Sequence, residues 1–342
     1  MRQAWTRTAK AFVGTFNALT NGLTASDATT ADRNVDMLIG GQAVIEGVMM
    51  RSLTGYSVAV RQPDGGVAIK QDKLVSVAKK YPFLKFPVLR GSVVLIQSLI
   101  LGMRALNYSA NVAVPPQEGP DQKNDQKEMS NWALAGSMIF AIVLGVGFFI
   151  LAPLGLTNLI RHYLAPGMGN IAYNAIDGVI RAVFFFVYIL SISFMNEIRR
   201  VFQYHGAEHK TVYTFEANEE LTVENARGKS TLHPRCGTSF LMFVMAISIL
   251  VFSLVPSTMP FVVKFAARVV LIPLIAGLAY EVIRFSARHL DSAACRMLIQ
   301  PGLWLQRITT KEPDDTQLEV AIVALKTALA YDVVEPAQAA VA

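Results

Sequence analysis

The chain has 342 residues, of which 53% are hydrophobic and only 16% charged, with a formal net charge of +6. Soluble domains carry about 25% charged residues and disordered chains are poorer still in apolar ones. The composition therefore excludes both and leaves a polytopic membrane protein. The basic residues Lys79, Lys80, Arg199, Arg200, Arg284 and Arg288 cluster at the ends of apolar segments, where lipid headgroups would meet them. No basic run interleaved with aromatics marks a nucleic-acid surface, so membrane lipids, and not nucleic acid, are the expected partners. Cys236 and Cys295 do not make a disulfide framework and are expected as reduced thiols if they face the cytosol.

In chain order, residues 1–38 form an N-terminal tail. Trp5, Phe12, Phe16 and Leu19 fall roughly on one helical face beside Arg2, Arg7 and Lys10, which fits either a membrane-surface helix or a frayed end. No uninterrupted apolar stretch follows the first charges, unlike in a secretory signal. Residues 39–87 read as a cytoplasmic β region. Val58–Val60 and Val67–Ile69 flank the turn Pro63-Asp64-Gly65-Gly66, and 42–50 and 211–216 are expected to add strands to the same small sheet. The run 88–106 is short and holds Gln97 and two glycines, so it is expected to be re-entrant or interfacial. Residues 107–131 are a polar, proline-containing linker.

Residues 132–153 and 237–255 carry no charged side chain and are long enough to span a bilayer. Residues 175–196 form another span, with Asp177 and Arg181 placed for a one-turn ion pair. Residues 261–283 form a fourth, interrupted by Lys264, Arg268 and Pro273. Arg268 would snorkel to the exterior interface or pair with Asp177. Between the spans, 197–236 form a cytoplasmic insertion, and 284–342 close the chain with amphipathic helices, the last with Leu318, Ile322, Leu325 and Leu329 on one side. Basic loops favour the inside of the membrane. They place these segments and both termini in the cytoplasm of an inner-membrane protein with about four spans and a small cytoplasmic β-sheet.

The chemistry concentrates in one segment. His205-Gly206-Ala207-Glu208-His209 puts two imidazoles one helical turn apart on one face with a carboxylate beside them. Inverted zincins use this order, the glutamate acting on a water that the ion polarises. A catalytic zinc needs a third protein ligand and an open position. His233 and Cys236 are the first candidates. Glu281 is second, because a straight helix from Asn196 would carry His205 about 13 Å beyond the membrane surface where Glu281 lies. The competing view makes the histidines hydrogen-bonded structural residues and pairs Glu208 with Lys210 or Arg227. A four-ligand His-His-His-Cys site would be structural rather than catalytic. In 40–51, Glu46 is either a ligand or acid–base group or the partner of an arginine, and Arg51 is a contact for an anion or headgroup. Arg90 and Arg104 bracket the re-entrant run, as headgroup contacts or helix-end closures, with a substrate role as a further option.

The segments GGQAVIEGVMMR (40–51), VLRG (88–91), NEIRRVFQYHGAEHKTV (196–212), LTVENAR (221–227), HPRCGTSF (233–240) and PGLWLQRITTKEPDD (301–315) resemble the YqhQ-like family of bacterial membrane proteins. This group of unknown function is catalogued as predicted metal-dependent enzymes. The resemblance implies an integral membrane location and a metal, and no substrate. Together these readings lead to a metal-dependent hydrolase at the cytoplasmic face acting on a membrane peptide or lipid. Its expected cofactor is a divalent ion, zinc first, with Glu208 as the catalytic base. The alternative is a non-enzymatic accessory or scaffold factor for membrane-protein biogenesis or envelope assembly, with a structural metal and a membrane-protein or homo-oligomeric partner.

Overall fold

The computed structural model describes residues 39–74, 86–113, 131–289 and 292–339. The expected surface helix at 2–20 and most of the expected linker, 114–130, lie outside them.

Four strands, β1 (Gly40–Val44), β2 (Gly47–Arg51), β3 (Gly55–Arg61) and β4 (Val67–Lys73), form an antiparallel meander in sequence order. The expected hairpin at 58–69 is there, with Gly65 at φ 85° in its turn. The expected single strand 42–50 is instead two strands, broken at Ile45–Glu46. Glu46 takes a positive φ of 50°, and its carboxylate leaves the sheet to meet Arg200, with both contacts at 2.5 Å. Gly47 makes the tight return. A Cβ there would lie 2.2 Å from the Ala59 carbonyl oxygen, a contact only glycine avoids.

Side chains alternate across the sheet, as the two-residue period of a strand requires. Val48, Met50 and Ala59 face a core shared with α5 (Asn196–Glu216) and α11 (Asp315–Ala339). Val44, Met49, Tyr56, Val58 and Val60 face a second core closed by Ala105 and Leu101 of α1 (Leu89–Ala113). The sheet is thus covered on both sides. Residues 211–216, expected as a strand, are the last turns of α5. Their β-branched and aromatic residues carry strand propensity, but tertiary packing overrides it. Val212 is buried in the first core, and Thr214 donates to the Lys210 carbonyl one turn back. The terminal helix is more enclosed than an amphipathic stripe predicts. Leu318, Ile322 and Leu325 are buried, and so are Val320, Ala321, Ala324 and Ala328.

The remaining helices carry the apolar segments. Helix α2 (Asn131–Val146) runs through a π turn (Gly147–Leu151) into α3 (Ala152–Tyr163), and α4 (Asn170–Ser193) follows. The π turn sits just before Pro153, whose missing N–H removes a ladder bond. After a short α6 (Val223–Arg227) come α7 (Gly237–Ser253), α8 (Phe261–Val270), α9 (Ile272–Arg288) and α10 (Ala293–Thr309). Three helical stretches, Leu89–Ala113, Ile139–Tyr163 and Asn170–Ser193, are long and apolar enough to cross a membrane. A fourth is counted if α8 and α9, bent by 42°, are taken together. That bend falls at Leu271, just before Pro273. Helix α7 has 17 residues and is shorter than a typical span.

The expected short run at 88–106 extends to Ala113, taking the first residues of the expected linker into the helix. Its C-terminal half packs on the sheet, its start packs against Gly277 and Tyr280 of α9, and Leu95, Ile96, Leu99 and Ile100 are exposed. Arg268 does not snorkel. It is fully buried and donates to Asp177 at 2.7 Å, while Arg181 reaches the other carboxylate oxygen at 2.8 Å.

The chain turns at Phe194–Met195, so α5 is no straight continuation of α4. Gly206 does not bend α5 either. It admits the 310–311 backbone, because a Cβ there would lie 2.1 Å from the Lys311 carbonyl oxygen. Gly206→Ala is therefore expected to destabilise the fold by about 1–3 kcal/mol through overpacking. Thermal unfolding of the purified protein checks this, with Gly228→Ala, which has open space around its Cβ, expected to leave the midpoint unchanged.

Candidate metal centre

Helix α5 presents His205 and His209 one turn apart, with ring centroids 4.4 Å from each other. The third member comes from α7. Cys236 is its N-cap residue, placed by a turn in which Cys236 N–H donates to the His233 carbonyl at 3.2 Å. Donor atoms of His205, His209 and Cys236 all lie within 4.8 Å of one another. The Cys236 Sγ is 3.1 Å from His205 Nε2, and Thr238 N–H donates to it at 3.4 Å.

The orientation of the rings follows from their other nitrogens. His205 Nδ1–H donates to the Thr309 carbonyl at 2.8 Å, and His209 Nδ1–H donates to the Thr231 carbonyl at 2.5 Å. A carbonyl can only accept, so each Nδ1 carries a proton, and in the neutral ring each Nε2 turns its lone pair into the cluster. His209 Nε2 is buried without a hydrogen-bond partner. This is how metal-ligating histidines are held, with the outer N–H tied to an acceptor and the inner nitrogen bare. Burial holds the His209 imidazole below its usual proton affinity, with contact to Cys236 opposing, which favours the neutral form a cation needs.

Glu208 lies beside the cluster in a cavity of about 490 Å³, shared with His205, Cys236, Arg51, Met49 and Leu101. Its Oε1 accepts from Gly41 N–H at 2.9 Å. Burial pushes the carboxyl above its ordinary pKa, while His205 and the Gly41 bond pull it back. A carboxyl raised in this way holds its proton more readily than an exposed one. Glu208 does not pair with Lys210 or Arg227. Lys210 reaches Glu312 and the Arg227 carbonyl, and Arg227 pairs with Asp315.

The other candidates stand elsewhere. His233 is turned away from the cluster: its Nε2 meets Glu216 at 3.3 Å and its Nδ1 accepts from Arg235 N–H at 3.3 Å. Its nitrogens are not among the converging donors, so the structure brings together three of the four members of a His-His-His-Cys set. Glu281 is bound to Arg90 across the α1–α9 contact, with Nε donating to Oε1 at 2.6 Å and a second contact between Arg90 NH2 and Oε2. Arg90 thus ties the start of α1 to α9, where Glu281 also accepts from Val88 N–H at 3.3 Å, and Glu281 is not among the converging donors. Glu46 is the partner of Arg200, which lies on α5 rather than in the sheet. Arg51 lines the cavity.

Several contributors carry no side-chain signal. The Thr231 and Thr309 acceptors and the Gly41 donor are backbone groups. Gln306 locks the turn before Cys236, accepting from His233 N–H at 2.7 Å and donating to the His233 carbonyl at 2.9 Å. Gly41 could have been found from its neighbour Gly40 only as a turn signal. Its actual role is close approach, since a Cβ there would lie 2.4 Å from the Met49 carbonyl oxygen and 3.2 Å from Glu208 Cδ.

The family described as "Protein of unknown function (DUF1385)" matches residues 86–331, a stretch that contains all three cluster residues and Glu208. The Bacillus subtilis (strain 168) protein described as "Uncharacterized protein YqhQ" is 37% identical over 293 residues, covering 83% of this chain and 89% of that protein. No solved structure matches the chain. On the extent of both matches, the chain belongs to this YqhQ-like bacterial family of unknown function.

Proposed function

We propose that His205, His209 and Cys236 hold a divalent cation and that the protein is a metal-dependent hydrolase of the inner membrane, acting on a lipid or a membrane peptide. The observation that carries this reading is the convergence of two Nε2 atoms, that of His209 without a hydrogen-bond partner, and one sulfur, with both imidazoles aimed from behind by backbone carbonyls. Two imidazoles and a thiolate favour zinc, and three protein donors leave a position open for substrate or water. The bound ion would supply Lewis acidity at that position.

The chain's own residues do the rest. Gly41 N–H fixes one oxygen of Glu208, which serves as the proton acceptor and later the donor. The cavity is walled by Leu101, Met49 and Phe202 on one part and by Gln42, Arg51, Ser98 and Thr238 on another, so a substrate with apolar and polar groups fits it. The exposed Leu95, Ile96, Leu99 and Ile100 of α1 continue that apolar surface away from the cavity. Helix α1 then lies at the bilayer interface and substrate arrives along it from the membrane plane. The basic segments 197–236 and 284–315 face the cytoplasm, while 256–260 carry no charge and 154–174 carry the single basic residue Arg161. An open three-donor set beside a buried carboxyl in a cavity favours an enzyme over a scaffold with a structural metal.

Elemental analysis of the purified protein is expected to find close to one zinc per chain, and His209→Ala is expected to lose most of it. Glu208→Gln is expected to keep the zinc and the thermal midpoint while hydrolysis of the physiological substrate falls by about 10²-fold or more. A scaffold would tolerate that exchange in a complementation assay.

A further inference from the structure

At the end of the helices remote from the α4–α5 junction lies a second cavity, of about 540 Å³, lined by Asn158, Arg161, His162, Ser257, Thr258 and Lys264. Its chemistry is cationic. Lys264 is 2% exposed, and its ammonium donates to Asn158 Oδ1 at 3.2 Å, Tyr173 OH at 2.9 Å and the Ser257 carbonyl at 3.2 Å. All three partners are neutral. Arg161 donates one N–H to the same Ser257 carbonyl and lies 5.6 Å over the Tyr173 ring.

The nearest acid is already taken. Asp177 holds Arg181 at 2.8 Å and Arg268 at 2.7 Å, one on each carboxylate oxygen. Both oxygens of Asp177 are therefore occupied, and neither Lys264 nor Arg161 makes an ion pair among the described residues. Arg181 Nε and Arg268 Nε make no hydrogen bond among the described residues. Burying an ammonium costs several kcal/mol unless an opposite charge accompanies it, and intramembrane cations mark ligand paths by default. Neutral partners satisfy the donors of Lys264 and the Tyr173 ring lies 4.5 Å from its ammonium, but no carboxylate pairs with it among the described residues.

We propose that this cavity binds a phosphate group, with Lys264 supplying charge from behind and the remaining N–H groups of Arg161 and the Thr258 hydroxyl making contact at its mouth. A planar guanidinium with donors to spare suits phosphate oxygens. The exposed Leu159, Val262 and Val263 beside the cavity fit acyl chains, so a phospholipid headgroup is the favoured carrier, with inorganic phosphate as the other source. The assignment is independent of the metal centre, which uses none of these residues.

The test uses the full chain in detergent and follows its thermal midpoint in millimolar inorganic phosphate against chloride at matched ionic strength, and with added phosphatidylglycerol against phosphatidylcholine. Phosphate or phosphatidylglycerol is expected to raise the midpoint by roughly 2–4 °C. Arg161→Gln, at the mouth, is expected to remove that shift. Lys264→Met should remove it too, but it also deletes three buried hydrogen bonds, so Arg161→Gln decides. A shift from phosphatidylglycerol that inorganic phosphate competes away identifies a lipid ligand, and a shift from phosphate alone identifies a soluble one. No shift with either, or an equal shift in Arg161→Gln, overturns the proposal and leaves Lys264 without a counter-ion.

Discussion

Two hydrogen bonds from imidazole N–H groups to backbone carbonyls set the geometry on which the site depends. Helix α10 ends at Thr309, and its last carbonyls have no partner within the helix. His205 satisfies one of them and in doing so turns its Nε2 toward Cys236. The Thr231 carbonyl does the same for His209. The glycine between the histidines lets the 310–311 backbone come close enough for the first of these bonds. Lys311 N–H, donating to the Phe202 carbonyl at 2.9 Å, ties the same segment to α5. The cluster is therefore the point where α5, the α10–α11 junction and the loop before α7 are fastened together. Loss of one carbonyl contact would free an imidazole to rotate and would loosen three elements at once.

Glu208 extends the same logic to the sheet. Its carboxyl is held by a backbone N–H of β1 at the one position where glycine permits the approach. The sheet thereby does more than cover α11: it closes the cavity and fixes the Glu208 carboxyl. Arg200 and Glu46 clamp the β1–β2 turn to α5 from the other side, so the strand and the helix are fixed relative to each other at two places about two turns apart.

Much of this was legible in the sequence where the signal was local. The pairing of His205 with His209 follows from helical spacing alone, and so does the Asp177–Arg181 pair. The hairpin at 58–69 follows from its turn residues. Long-range choices were not legible. Nothing in His233-Pro234-Arg235-Cys236 says which side chain faces α5. The turn, locked by Gln306 more than 70 residues later and by the N-cap position of Cys236, sends the thiol inward and the imidazole to Glu216. Glu281 was misplaced because its partner, Arg90, lies on a helix that packs against α9 only in three dimensions. Residues 211–216 read as a strand because their propensity favours one, and the core formed by the sheet and α11 overrules it. For Arg268 the sequence left snorkelling and pairing with Asp177 both open, because that carboxylate lies on another helix, and the structure has the pair.

Zinc-edge X-ray absorption on the purified protein tests the central claim most directly, because it counts the donors rather than the ions. The account predicts one sulfur at about 2.3 Å and two imidazole nitrogens at about 2.0 Å, completed by a light atom not supplied by His233. A shell without sulfur, or one with three histidines, would contradict it.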